Sequence, residues 1–142
     1  MRARMARIGD AAAIAAIYNE GIADRIATFE TEPRSAEQIE HWFDNRHPIV
    51  VVEEGREVVA FASTSSYRAR PCYVGIAEFS VYVARHRRGA GAGRVAVVAL
   101  LEAAEADGYW KLLSRIFPEN TASRALMAKL GFREVGIYAR HG

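Results

Sequence analysis

The residues most suited to chemistry lie together in Ser80-Val81-Tyr82-Val83-Ala84-Arg85-His86-Arg87-Arg88-Gly89-Ala90-Gly91-Ala92-Gly93-Arg94. The segment reads as a strand, a basic glycine-rich turn and the start of a helix. Glycines let successive backbone N–H groups converge on one point, and a helix N-terminus adds partial positive charge. Together they form an anion cradle of the size of a pyrophosphate, spanning Arg88, Gly89, Ala90, Gly91, Ala92, Gly93 and Arg94. A Walker loop would need Lys followed by Ser or Thr after the last glycine, and Arg94-Val95 stands there instead. A dinucleotide fingerprint would need GxGxxG near the first strand, whereas this spacing is GxGxG and lies past mid-chain. The remaining pattern is Arg-x-x-Gly-x-Gly, met by Arg88, Gly91 and Gly93.

The surrounding elements must hold that loop. Met1 to Ile8 reads as a first strand, and Asp10 as the N-cap of a helix whose apolar positions are Ile14, Ile17, Tyr18 and Ile22. Ser35 with Gln38 forms a capping box that opens a second helix through about Asn45, with Ile39, Trp42 and Phe43 inward. Ile49 to Val52 and Val58 to Tyr67 form a hairpin around Glu54-Gly55-Arg56. Val74 to Val83 is the strand that enters the glycine turn. A helix from about Gly91 to Ala106 presents Val95, Val98, Leu101 and Ala104 or Glu105, and Gly108 stops it. Leu112 to Ile116, Pro118 to Leu130 and Phe132 to Tyr138 follow as strand, helix and strand. The order β-α-α-β-β-β-α-β-α-β, without repeats or linkers, predicts one α/β domain over residues 1–142.

Bulk properties exclude several functions. The chain has 142 residues, 51% hydrophobic and 25% charged, as expected of a globular domain with a real core. Lys and Arg number 19 against 17 Asp and Glu, a net charge of +2, which argues against nucleic acid as partner. A single cysteine, Cys72, allows no intrachain disulfide and fits a reducing cytoplasm. His41, His47, His86 and His141 are scattered without metal-ligand spacing, so no metal is expected. Ala11 to Ile17 is too short to span a bilayer, so no membrane partner is expected either.

The Arg-x-x-Gly-x-Gly loop resembles the acetyl-CoA loop of the GNAT N-acetyltransferases. Further segments resemble one subfamily, the phosphinothricin, methionine sulfone and arsinothricin type. They are Ile17-Tyr18-Asn19-Glu20, Ala27-Thr28-Phe29-Glu30-Thr31-Glu32-Pro33, Tyr67-Arg68-Ala69-Arg70, Ala77-Glu78-Phe79-Ser80-Val81-Tyr82-Val83, Asn120-Thr121-Ala122-Ser123 and Leu130-Gly131-Phe132. The likeness runs over nearly the whole chain. It implies a mixed, largely antiparallel central sheet flanked by helices. It also implies acetyl-CoA as cosubstrate, transfer of acetyl to the α-amino group of a small amino-acid-like substrate, and a homodimer.

By that resemblance Glu78 is the catalytic base. Only a free amine attacks a thioester, and a carboxylate can take the ammonium proton directly or through water. Val81, Tyr82 and Val83 would pair their backbone with the pantetheine arm, with a main-chain N–H at the thioester oxygen. Asn120 and Ser123 would contact the cofactor. Arg68 and Arg70 would hold a substrate carboxylate, and Phe29 and Tyr73 would wall the pocket.

Two departures from the family stand out. Seven residues after Asn120, where many relatives carry Tyr or His, this chain has Met127, which cannot transfer a proton. The family also continues past the equivalent of His141-Gly142, so the fold is expected to lack the last C-terminal strand. The competing functions are a protein N-terminal or lysine acetyltransferase and a catalytically inactive CoA-binding module.

Overall fold

The computed structural model describes residues 1–24, 32–66, 76–109, 111–113 and 121–130. Five strands form one sheet: β1 (Arg2–Met5), β2 (Ile49–Glu54), β3 (Glu57–Ser66), β4 (Ile76–Val83) and β5 (Lys111–Leu113), in the spatial order β1-β2-β3-β4-β5. The first three pairings are antiparallel and β4 pairs with β5 in parallel. The helices are α1 (Ala11–Asp24), α2 (Ala36–Glu40), α3 (Ala92–Ala106) and α4 (Thr121–Lys129). The expected final strand, Phe132 to Tyr138, lies outside the described residues.

Strand alternation sorts the core into two layers. Ile49 and Val51 of β2 join Phe61, Tyr82 and Ala84 under α1 and α2. Val50 and Val52 join Ala60, Ala62 and Phe79 under α3, together with Met127 of α4. A β-branched run buried on both faces is what a central strand needs. The two-residue turn between β2 and β3 places Gly55 at φ +66, a conformation open to glycine. A bulge between Val52 and Glu53 then shifts the register, so the consecutive residues Val59 and Ala60 face the same layer.

Three sequence expectations need correction. Asp10 does not cap α1 as its N-cap. It closes a 3-10 turn, Ile8–Asp10, where its carboxylate accepts from the Arg7 amide at 2.7 Å and from two Arg4 nitrogens at 2.8 and 2.9 Å. The Arg4 guanidinium, with a second bond to Glu53 at 2.8 Å, captures the side chain a cap would have used. The capping box at Ser35 and Gln38 forms as read, but α2 stops at Glu40. Asp44 takes the amides of Arg46 and His47 at 2.9 and 2.8 Å, and Asn45 turns to φ +60, so side-chain bonding redirects the chain before Asn45 can be helical. On α3 the sheet-facing side is Ala92, Ala96, Val97, Leu100 and Ala104, and Val98 is 38% exposed. Small residues let this helix lie close to the sheet, so its larger apolar side chains were a poor guide to its inner face.

Helix α1 approaches β4 just as closely. A Cβ on Gly21 would stand 2.8 Å from the Tyr82 ring, which is itself stacked on Phe61 at 5.1 Å and tilted on Tyr18 at 5.1 Å. Substituting Gly21→Ala therefore sets a helix-propensity gain of about 1 kcal/mol against an overpacking cost of about 1–3 kcal/mol. The expected outcome is a net loss of stability, read as a lower urea midpoint with unchanged slope.

Candidate active site

Strand β4 is the candidate centre of the site because its two edges differ. The Ala84 amide donates to the Val59 carbonyl at 2.8 Å, which fixes the hydrogen-bonding phase of β4 against β3. By alternation Tyr82 and Ser80, opposite Phe61 and Ser63, bond to β3 as well. The N–H and C=O of Val81 and Val83 must then point the other way, toward β5. The described part of β5 reaches only Glu78, through the pair Glu78↔Leu113. Val81 and Val83 thus present main-chain donors and acceptors that no described strand uses. Tyr82 differs from the expectation that grouped it with them. Its backbone belongs to the β3 ladder and its ring is buried in the aromatic cluster.

The side chains of β4 divide in the opposite sense. Val81 and Val83 pack toward α3, so Glu78 and Ser80 share the other face with Tyr82, under α1 and α2. Across β3 they meet Ser65 and Ser63. Glu78 is half-buried. A short polar strip with a carboxylate at its end therefore continues the aromatic layer formed by Tyr18, Trp42, Phe61 and Tyr82.

Beyond Val83 the chain makes a 3-10 turn, Arg85–Arg87, then passes through Gly89 at φ +82 and Gly91 at φ +93 into α3. Both glycines adopt backbone conformations that a side chain would strain. No side chain caps α3. The amides of Ala92, Gly93 and Arg94 have no acceptor among the described residues, so they remain available to an anion. Gly93 lies against Val83 and Leu126, where a Cβ would come to 3.5 and 3.4 Å. This glycine lets the start of α3 lie against the Val83 side chain of β4.

The arginines, in contrast, are already engaged. Arg85 donates to Asp24 through Nε and Nη2, each at 3.0 Å, and Arg88 through Nη1 at 2.7 Å. The Arg85 amide donates to Glu20 at 2.9 Å. Arg87 pairs with Glu54 and His86 with Glu57. Arg94 is exposed and has no ion pair among the described residues. Asn19, one residue before Glu20, holds the main chain of Arg34 from both sides, at 2.9 Å and 2.7 Å. One stretch of α1 from Asn19 to Asp24 thus ties together the segment before α2, the Tyr82 ring and the basic turn. Sequence reading missed Glu20 and Asp24 because their partners lie more than sixty positions away.

Met127 is buried, 6% exposed, in the layer with α3. Phe29, Arg68, Arg70, Tyr73 and Asn120 lie outside the described residues. Ser123 falls in the first half of α4.

The chain that carries this strand, glycine turn and helix matches known proteins over almost its full length. Residues 2–133 match the family described as Acetyltransferase (GNAT) domain. The chain belongs to the GNAT acetyltransferases. It is 33% identical to a phosphinothricin N-acetyltransferase of Streptomyces coelicolor over 89% of this chain and 78% of that protein. It is 34% identical to an L-methionine sulfoximine/L-methionine sulfone acetyltransferase of Pseudomonas aeruginosa over 94% of this chain and 80% of that protein. Among solved structures, a ribosomal-protein-alanine N-acetyltransferase from Brucella melitensis superposes with a TM-score of 0.90 at 33% identity, covering 96% of this chain and 86% of that one. A phosphinothricin acetyltransferase from Sinorhizobium meliloti in complex with AcCoA superposes with a TM-score of 0.87 at 29% identity, covering 95% and 76%. The chain is thus an acetyl-CoA-dependent N-acetyltransferase with the GNAT fold.

The residues present fit the cosubstrate. Free amides at the head of α3 suit its pyrophosphate, and the open edge of β4 suits the amide-bearing pantetheine arm. Replacing Gly91 and Gly93 by Val strains φ at Gly91 and crowds Gly93 against Val83 and Leu126, which distorts the cradle backbone, and CoA affinity by calorimetry is expected to fall at least tenfold, about 1.4 kcal/mol or more. The acidic tether of the basic turn has its own signature. Hydrogen bonds from Arg85, then Arg88, hold the Asp24 carboxyl at about 2, below its ordinary 3.8. A depressed carboxyl pKa means that the pairing is complete above 3.8 and is lost only as pH falls through about 2. Carbon-detected NMR of the Asp24 carboxyl in the CoA-free protein is expected to show that late titration.

Proposed function

We propose that this enzyme acetylates the α-amino group of a small amino-acid-like acceptor, of the kind named for its phosphinothricin and methionine sulfoximine/sulfone relatives, with Glu78 as the base. The observation that carries the reading is the division of labour on β4. The strand directs main-chain groups of Val81 and Val83 to an edge that no described strand occupies, while three positions earlier it puts a carboxylate on the α1–α2 face. Three residues of strand span about 10 Å, a reach that a bound acceptor and one water can bridge.

When bound, acetyl-CoA supplies an acetyl group activated as a thioester. Val81 and Val83 align its arm by backbone pairing, with one main-chain N–H directed at the carbonyl oxygen. Glu78 accepts the first proton of the acceptor ammonium, directly or through water, so that the nitrogen lone pair is free to form the C–N bond; as the C–S bond breaks, the nitrogen gives up its second proton to solvent water or to the departing sulfur. Met127 has no proton to give, so the departing sulfur leaves as thiolate or takes a proton from water. The unperturbed thiol pKa of about 8.5 makes that tolerable. By likeness to the family, Arg68 and Arg70 grip the acceptor carboxylate, Phe29 and Tyr73 wall the acceptor, and Asn120 and Ser123 contact the cofactor. We further place the chain as one domain over residues 1–142, in the reducing cytoplasm, as a homodimer. Among the described residues no helix is long and apolar enough to cross a membrane. A single mass of one subunit by light scattering at high concentration would remove the dimer.

A thiol-release assay with acetyl-CoA against methionine sulfone, methionine sulfoximine, phosphinothricin and an alanine-first peptide tests the acceptor class. The amino-acid analogues should turn over and the peptide should not. Turnover of the peptide alone would transfer the reading to a protein acetyltransferase. Glu78→Gln should lower kcat/KM on the accepted analogue by about a hundredfold or more at neutral pH and leave CoA affinity unchanged. The defect should narrow at high pH, where the amine arrives deprotonated. Equal rates for variant and wild type at neutral pH would exclude Glu78 as the base.

A further inference from the structure

Three carboxylates, Asp24, Glu54 and Glu57, engage the side chains of all four residues of the basic turn, Arg85, His86, Arg87 and Arg88. Asp24 stands out among them because it accepts three charge-assisted hydrogen bonds from two guanidinium groups. A carboxylate held in that way satisfies the same donors that recognise phosphate. Asp24 ends α1, and Glu20, one turn earlier on the same helix, fixes the Arg85 backbone. The carboxylate is therefore presented to Arg85 and Arg88 by a helix that is itself packed on β4 through Gly21 and Tyr82. Arg88 lies directly before the glycine cradle.

We propose that Asp24 is an internal anion that competes with the phosphates of the cosubstrate for Arg85 and Arg88, and so sets how tightly the loop holds acetyl-CoA and CoA. The proposal rests on the reading of Gly89 to Arg94 as the pyrophosphate cradle. The backbone amides of the cradle bind the phosphates without opposition. The guanidinium groups bind them only by leaving Asp24, so their net contribution is small. The competition acts equally on substrate and product, which share those phosphates, and it keeps CoA from being held too firmly to leave after transfer. The pairs are partly exposed, with side chains of Asp24, Arg88 and Arg85 at 26%, 31% and 54%. The effect is accordingly a few-fold change rather than orders of magnitude.

Calorimetry with CoA, and separately with inorganic pyrophosphate, tests this on wild type, Asp24→Asn, Arg88→Gln and the double variant. Removing the carboxylate charge should tighten both ligands about three- to tenfold. Arg88→Gln should cost more affinity in the Asp24→Asn background than in the wild type, because only there is Arg88 free to engage phosphate. Asp24→Ser, which also removes the charge, should tighten binding in the same direction and guards against a local effect of the Asn amide. Thermal melts establish that each variant is folded. No tightening in either Asp24 variant, or an Arg88→Gln cost equal in both backgrounds, overturns the proposal. Unchanged CoA affinity in Gly91→Val would instead overturn the cradle reading beneath it. Affinity lost in Gly91→Val but untouched by Asp24→Asn and Asp24→Ser overturns the role of Asp24 alone.

Discussion

The alternation of main-chain hydrogen bonds along β4 is the constraint on which the rest of the site depends. A strand in a sheet directs alternate residues to its two neighbours, and here the phase is set by the bond from Ala84 to Val59. A slip of one residue would turn the backbone of Val81 and Val83 into the β3 ladder and move Glu78 to the α3 face. The hydrophobic pattern forbids that slip. Phe79 must face the α3 layer, and Tyr82 must face Phe61, Tyr18 and Gly21. The packing of Tyr82 therefore contributes to the cofactor edge although neither its ring nor its main chain lies there.

A second constraint is electrostatic. The sequence presents the basic turn as a concentration of positive charge, yet its arginines and histidine are paired with Asp24, Glu54 and Glu57. The turn is nearly neutral as folded. What remains for an anion is directional: amides at the head of α3 and the conformations of Gly89 and Gly91. Such donors are fixed by the backbone and need little reorganisation when a ligand arrives. Paired side chains must first exchange partners.

The sequence made legible whatever depends on local pattern. The glycine turn, the capping box at Ser35, the hairpin at Gly55 and the buried positions of α1 all follow from spacing within a few residues. The inner face of α3 was misread because close helix–sheet packing selects Ala92, Ala96 and Ala104, which carry little hydrophobic signal. Asp10 and α2 were misjudged because side-chain bonds from Arg4 and from Asp44 outcompeted propensity. Glu78, the proposed base, is nameable only by family likeness, since periodicity does not separate a catalytic carboxylate from a solvated one. The tethering roles of Glu20 and Asp24 were invisible, because a hydrogen bond or ion pair across the fold leaves no mark in either segment.

The chemistry at the two ends of the transfer is unequal, and the fold reflects it. An ammonium near neutral pH must lose a proton before its nitrogen can react, so a base on the acceptor side removes a real barrier. A thiolate is a stable leaving group near its pKa of about 8.5, so an acid on the sulfur side is worth much less. Met127 is buried in the core. It fills the layer with Val97 and Leu100 and closes the packing of α4 on α3 and the sheet. That packing helps hold α3 against β4. It leaves Gly93, at the start of α3, against the Val83 side chain, and the proposed cofactor site depends on that placement, for which, unlike thiolate protonation, solvent offers no substitute.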